Sequence, residues 1–123
     1  MILGPFKLNA LCAVAHSENV IAGWYSNPKT GERIERNVGE LLCLINSEVS
    51  EAMEGHHKNL NDDHLPDRPM IEVELADAII RICDLAGYLK LDLEGAVIAK
   101  MLYNRDREDH KLETRRKAGG KAF

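Results

Sequence analysis

Aromatic residues are scarce in this chain of 123 residues, at 5% of the total with a single tryptophan. A β-sandwich builds its core on aromatic and β-branched residues, and this chain relies on Leu, Ile, Ala and Val instead, which points to helices. No uninterrupted apolar run approaches the roughly 20 residues that a membrane span needs. The opening residues Met-Ile-Leu-Gly-Pro carry no basic leader, so a cytoplasmic location is expected (the host cytoplasm if the gene is a phage's), with no membrane partner. Cysteine is too sparse for a disulfide framework: Cys12, Cys43 and Cys83 stand far apart inside apolar segments and read as reduced core thiols.

What is present is an ordinary globular balance, 45% hydrophobic and 29% charged, with a net charge of −4. The charge is unevenly spread. Residues 100–123 hold eight Lys/Arg against four Asp/Glu, and residues 1–99 hold eight against sixteen. An acidic body with a short basic tail is a poor partner for a nucleic-acid polymer.

Four helical segments separate cleanly. The first covers about residues 6–22, with Leu8, Leu11, Cys12 and Ala15 at helical spacing and Gly23 at its end. A turn at Asn27-Pro28-Lys29-Thr30-Gly31 follows. The second helix covers about 38–58, with Leu41, Leu42, Ile45, Val49, Ala52 and Met53 as its apolar face. The polar, proline-bearing segment 61–69 turns the chain back. The third helix, about 70–89, carries the broad stripe Val73, Ala76, Ile79, Ile80, Cys83 and Ala86, flanked by Ile82 and Leu85, and so reads as central. Asp92 is the expected N-cap of a fourth helix, 93–105. The fold expected is all-α: four main helices in an antiparallel, oligomeric bundle over residues 1–106. A frayed basic tail, 107–123, follows it.

Acidic residues border the stripes at a regular spacing. Glu48 and Glu51 are three apart on the second helix and project together; Glu74 and Asp77 repeat that spacing on the third. If the two helices fold back antiparallel, four carboxylates converge, and their repulsion demands protons or cations. An all-oxygen ligand set suits Mg²⁺, with Mn²⁺ as a substitute, and Mg²⁺ shares its remaining positions with phosphate oxygens. Lys100 and Asn104, four apart on the fourth helix, offer a cation and an amide to a phosphate and a sugar or base.

The three elements Glu48-Val-Ser-Glu51, Glu74-Leu-Ala-Asp77 and Lys100-Met-Leu-Tyr-Asn104 resemble the signatures of the MazG-like all-α nucleoside triphosphate pyrophosphatases, over about residues 6–106. The resemblance implies a Mg²⁺-dependent hydrolase, a homodimer or homotetramer, that cleaves between the α and β phosphates to release a monophosphate and pyrophosphate. It implies metal ligation and catalysis by Glu48, Glu51, Glu74 and Asp77, with Glu51 orienting or deprotonating water. It implies substrate contacts from Lys100, Asn104, His16 and Trp24. The length and the basic Gly-Gly-Lys tail are similar to short phage MazZ-like members, which implies dGTP or GTP as substrate. Arg107 and its basic neighbours are candidates to fold over the phosphates.

Two other readings stay open. Glu54-Gly-His-His57 supplies one half of a di-iron bundle motif, without a second copy. Alternatively, the second and third helices form a non-catalytic oligomerisation surface, with their acids paired to Arg81 or to a neighbour.

Overall fold

The computed structural model describes residues 6–123; residues 1–5, which bear the expectation of no basic leader, lie outside the described residues. The described residues are helical, with α1 Leu8–Ile21, α2 Val38–Lys58, α3 Met70–Tyr88, α4 Leu93–Asp106 and a short α5 Leu112–Arg115. Helix ends fall where the local chemistry puts them. The Asn37 side chain accepts from the Glu40 N–H to start α2, and Asn59, in the left-handed region at φ 51°, ends it. Asp92 caps α4 through the Gly95 N–H. No described helix is long and apolar enough to cross a membrane.

The contacts group the described residues into two units, Leu8–Leu91 and Asp92–Phe123 together with Phe6 and Lys7. In the first unit α3 is central, as expected, and packs on both α1 and α2. Both neighbours run antiparallel to it. Along α2 and α3, the backbone of Gly55 lies against Met70 while Glu48 meets Arg81; along α1 and α3, Gly87 approaches Cys12 and His16 while His16 meets Asp84. Small residues make this closeness possible, with Ala15, Ala52, Ala78 and Ala86 all buried. Gly87 allows the closest approach: a Cβ there would lie 2.6 Å from the His16 Cβ and 2.9 Å from the Cys12 carbonyl oxygen. Because one of these is backbone, Gly87→Ala should destabilise the fold by about 2 kcal/mol, measured as a shift in the urea midpoint.

The apolar stripes differ from expectation. On α2, Leu41 and Ala52 are buried, but Leu42, Val49 and Met53 are exposed; on α3, Cys83, Leu85 and Ala86 are buried, but Ala76, Ile79, Ile80 and Ile82 are exposed. The helix contacts are lined by small residues and by Glu48, Glu74 and Asp84, which displaces the larger apolar side chains to the flanks.

The four helices are as expected, but only α1–α3 share a unit; α4 groups with the segment that follows it. That segment is more structured than a frayed tail. The Arg107 guanidinium donates to both Asp109 oxygens, at 3.0 and 2.6 Å, and Lys121 reaches the same carboxylate at 3.4 Å. Opposite charges alternating at short range tie a segment that composition alone marks as solvated.

Candidate functional site

Glu48, Glu74 and Asp77 each place a carboxylate oxygen within 4.8 Å of the other two. Antiparallel pairing explains the convergence. Leu41, Leu44, Glu48 and Glu51 follow one face of α2, Glu74, Asp77, Arg81 and Asp84 follow one face of α3, and the two faces meet. Glu48 and Glu74 are buried and Asp77 is half-buried. Glu51 stands outside this trio, exposed, but within hydrogen-bonding reach of Glu74.

The electrostatics are those of a crowded acid cluster. Burial, then the contacts and charges of Glu48 and Glu51, push the Glu74 carboxyl up to about 8. Burial and the Glu48 charge raise Asp77, and Arg81 opposes them. Burial also acts to raise Glu48, but the Arg81 guanidinium, whose Nε donates to Glu48 Oε1 at 2.8 Å, outweighs it together with contacts from Glu74 and Glu51. One acid is therefore held low, beside a cation, while two retain protons more tightly than free carboxyls do. In addition, Glu74 Oε2 is buried with no hydrogen-bond partner among the described residues. A buried, unpartnered carboxylate oxygen beside two further carboxylates fits a hard divalent cation, which takes oxygen ligands of this kind.

Two cavities border the cluster. One, of about 580 Å³, runs along Glu48, Glu51 and Glu54 toward the α2–α3 turn, where the buried Asp62 side chain accepts from the His64 and Leu65 N–H groups at 3.0 and 2.8 Å. The other, of about 460 Å³, is lined by Glu48, Asp77 and Arg81 at its acidic part and includes Trp24, Arg36 and Glu40. Both volumes suit a small ligand.

Not every candidate joins the cluster. His16 is turned into the α1–α3 contact, where its Nδ1 lies 2.9 Å from Asp84 Oδ1; the buried Tyr25 hydroxyl donates to Asp84 Oδ2 at 2.9 Å. Burial and the Asp84 contact raise the Tyr25 phenol well above its usual range. His16 thus has a packing partner, whereas Trp24 is exposed on the cavity. Lys100, Asn104 and Arg107 belong to the second unit. Lys100 lies 4.6 Å from the Tyr103 ring centroid, Arg107 is engaged by Asp109, and Asn104 Oδ1 is buried without a partner among the described residues. Glu54, required for the iron alternative, pairs with exposed Lys58 on the next turn; among the described residues the ligand atoms that converge are carboxylates.

Asp84, Arg36 and Glu40 line the second cavity without being expected there from the sequence. Asp84 was accessible in principle, since it lies seven residues beyond Asp77 and so on the same face. The others come from a loop and a helix start whose facing no periodicity reveals. The chain matches no protein-family model, no curated protein and no solved structure.

Proposed function

We propose that the chain is a Mg²⁺-dependent nucleoside triphosphate pyrophosphatase of MazG-like type, acting in the cytoplasm. The single observation that carries this reading is the Glu48, Glu74 and Asp77 trio, gathered within 4.8 Å beside a cavity large enough for a nucleotide. Water adds to the α phosphorus, the α–β bridging P–O bond breaks, and a monophosphate and pyrophosphate leave. Such a reaction needs positioning and neutralisation of charge more than covalent help.

Glu48, Glu74 and Asp77 would hold the divalent ion, which supplies charge neutralisation on the phosphate oxygens when bound. The remaining work belongs to the chain. Glu51, exposed beside Glu74, accepts the proton of the attacking water. Arg81 keeps Glu48 ionised and thus a competent ligand. The motif resemblance implies substrate contacts from Lys100 and Asn104, and the similarity in length and tail to short phage members implies dGTP or GTP as the substrate.

The test is pyrophosphate release across a panel of ribo- and deoxynucleoside triphosphates with Mg²⁺ or Mn²⁺, with the monophosphate identified. Turnover with equimolar monophosphate and pyrophosphate is expected. Release of inorganic phosphate alone, or silence on every substrate, overturns the reading.

A second reading has its own observation. The Arg81–Glu48 pair and the exposed Val49, Met53, Leu75 and Ile79 are what an oligomerisation module built on α2 and α3 would carry. The two readings share an expected dimer or tetramer, because these flanks leave large apolar side chains to cover. They part on catalysis, since a module that assembles without turning over nucleotides fits only the second.

A further inference from the structure

The Trp24 side of the 460 Å³ cavity carries a recognition surface that the acid cluster does not explain. Trp24 is 63% exposed, yet its backbone is fixed on both sides. Its N–H donates to the Asn19 carbonyl at 3.1 Å, following Gly23 at φ +90°, and its carbonyl accepts from Arg36 Nη1 at 3.0 Å. The same guanidinium meets Glu40 Oε1 at 3.3 Å through Nη2, so one side chain ties the indole's backbone to a carboxylate. Glu40 is itself pinned by the Asn37 cap at the start of α2. The Arg36 N–H donates to the Tyr88 hydroxyl at 2.9 Å, which anchors the arrangement to α3. An exposed ring on a fixed backbone is a stacking platform, and an acceptor tied to it can read the edge of whatever stacks there.

Resting on the nucleotide reading above, we propose that Glu40 reads the edge of a base stacked on Trp24, and that it selects a base with two neighbouring N–H donors, the pattern of guanine. A carboxylate accepts and cannot donate. It therefore matches the ring N–H and adjacent exocyclic amino group of guanine, and meets the carbonyl oxygens that flank the uracil N–H with repulsion. Arg36 donates to Glu40 Oε1 alone, so Oε2 and the remaining lone pair of Oε1 are the two acceptors for the base.

Trp24 is the only tryptophan in the chain, so its fluorescence reports the stacking directly. The experiment titrates the full chain, with Mg²⁺, with α,β-methylene guanosine triphosphate, its uridine counterpart and inorganic tripolyphosphate, following both fluorescence and heat. The guanine analogue should quench Trp24 and tripolyphosphate should leave it bright. Glu40→Gln should weaken the guanine analogue about tenfold and leave tripolyphosphate within twofold; Trp24→Ala should weaken both nucleotides about tenfold by calorimetry, again sparing tripolyphosphate. Equal quenching by tripolyphosphate, or a Glu40→Gln loss that is the same for uridine as for guanosine, overturns the assignment while leaving phosphate binding intact. If none of the three compounds binds, the nucleotide reading itself is wrong and this inference goes with it.

Discussion

Asp77→Asn is expected to lower kcat by about 10²–10³-fold, the range found when one electrostatic contributor to a transition state is removed, while the helical circular dichroism is unchanged. The substitution keeps the shape of the side chain and removes its charge. Asp77 already bears an electrostatic cost in the fold, since burial and the Glu48 charge raise its carboxyl, so losing the charge should leave the melting temperature equal or higher. A variant that is inactive and at least as stable separates a catalytic ligand from a structural acid. Glu51→Gln should show the same loss for a different reason. Glu51 is exposed and outside the trio, so its removal spares metal affinity and removes the acceptor for the water proton. Measuring kcat and Mg²⁺ affinity in both variants distinguishes the roles: Asp77→Asn should weaken the ion, and Glu51→Gln should not. Near wild-type turnover in either variant would falsify the role assigned to that residue.

Stability should depend on pH and divalent ion together, and the sign follows from Glu74. In the unfolded chain its carboxyl has the ordinary value of 4.5; in the fold it is pushed up to about 8. Between those values the folded chain binds more protons than the unfolded chain, so stability falls as pH rises. The favourable contribution is complete below about 4.5 and is lost as pH passes through 8, and Asp77 adds in the same direction. Glu48, held low by Arg81, has the opposite sign, and its contribution is lost only as pH drops below the ordinary carboxyl range. In chelator, the melting temperature should therefore decline from pH 5 to pH 8. Mg²⁺ or Mn²⁺ displaces the retained proton and removes the repulsion, so its stabilising effect should grow over the same interval. At about 100-fold excess over its dissociation constant, an ion that binds only the folded chain contributes about 2.7 kcal/mol, or roughly 10 °C for a domain of this size. Differential scanning calorimetry at pH 5 and pH 8, with and without the ion, measures both trends. A melting temperature that is flat in pH, with no response to either ion, contradicts the cluster as a cation site.

Helix positions were the most legible feature of the chain because each is set by neighbours in sequence. The cap at Asp92, the turn at 27–31 and the prolines of segment 61–69 act over a few residues, and the observed boundaries of α2 and α4 fall close to those expected, with Asn37 as a cap of α2 that the structure adds. The spacing of Glu48, Glu51, Glu74 and Asp77 was equally readable, since residues three apart share a helical face whatever surrounds them. Facing was not readable in the same way. Stripes of Val, Ile and Met predict burial, but burial depends on which flank a neighbour covers, and close packing through Ala and Gly left much of that apolar surface outside.

Neighbours along the chain set the helices, their turns and the acids each helix presents. Tertiary structure decided which acids meet, that Arg81 rather than solvent faces Glu48, that His16 turns toward Asp84, and that Arg36 links Trp24 to Glu40. The physical reason is range. Backbone hydrogen bonds and caps are local and encoded residue by residue, whereas the burial and Coulomb effects that shape the cluster depend on the distance between helices, which only the packed chain defines.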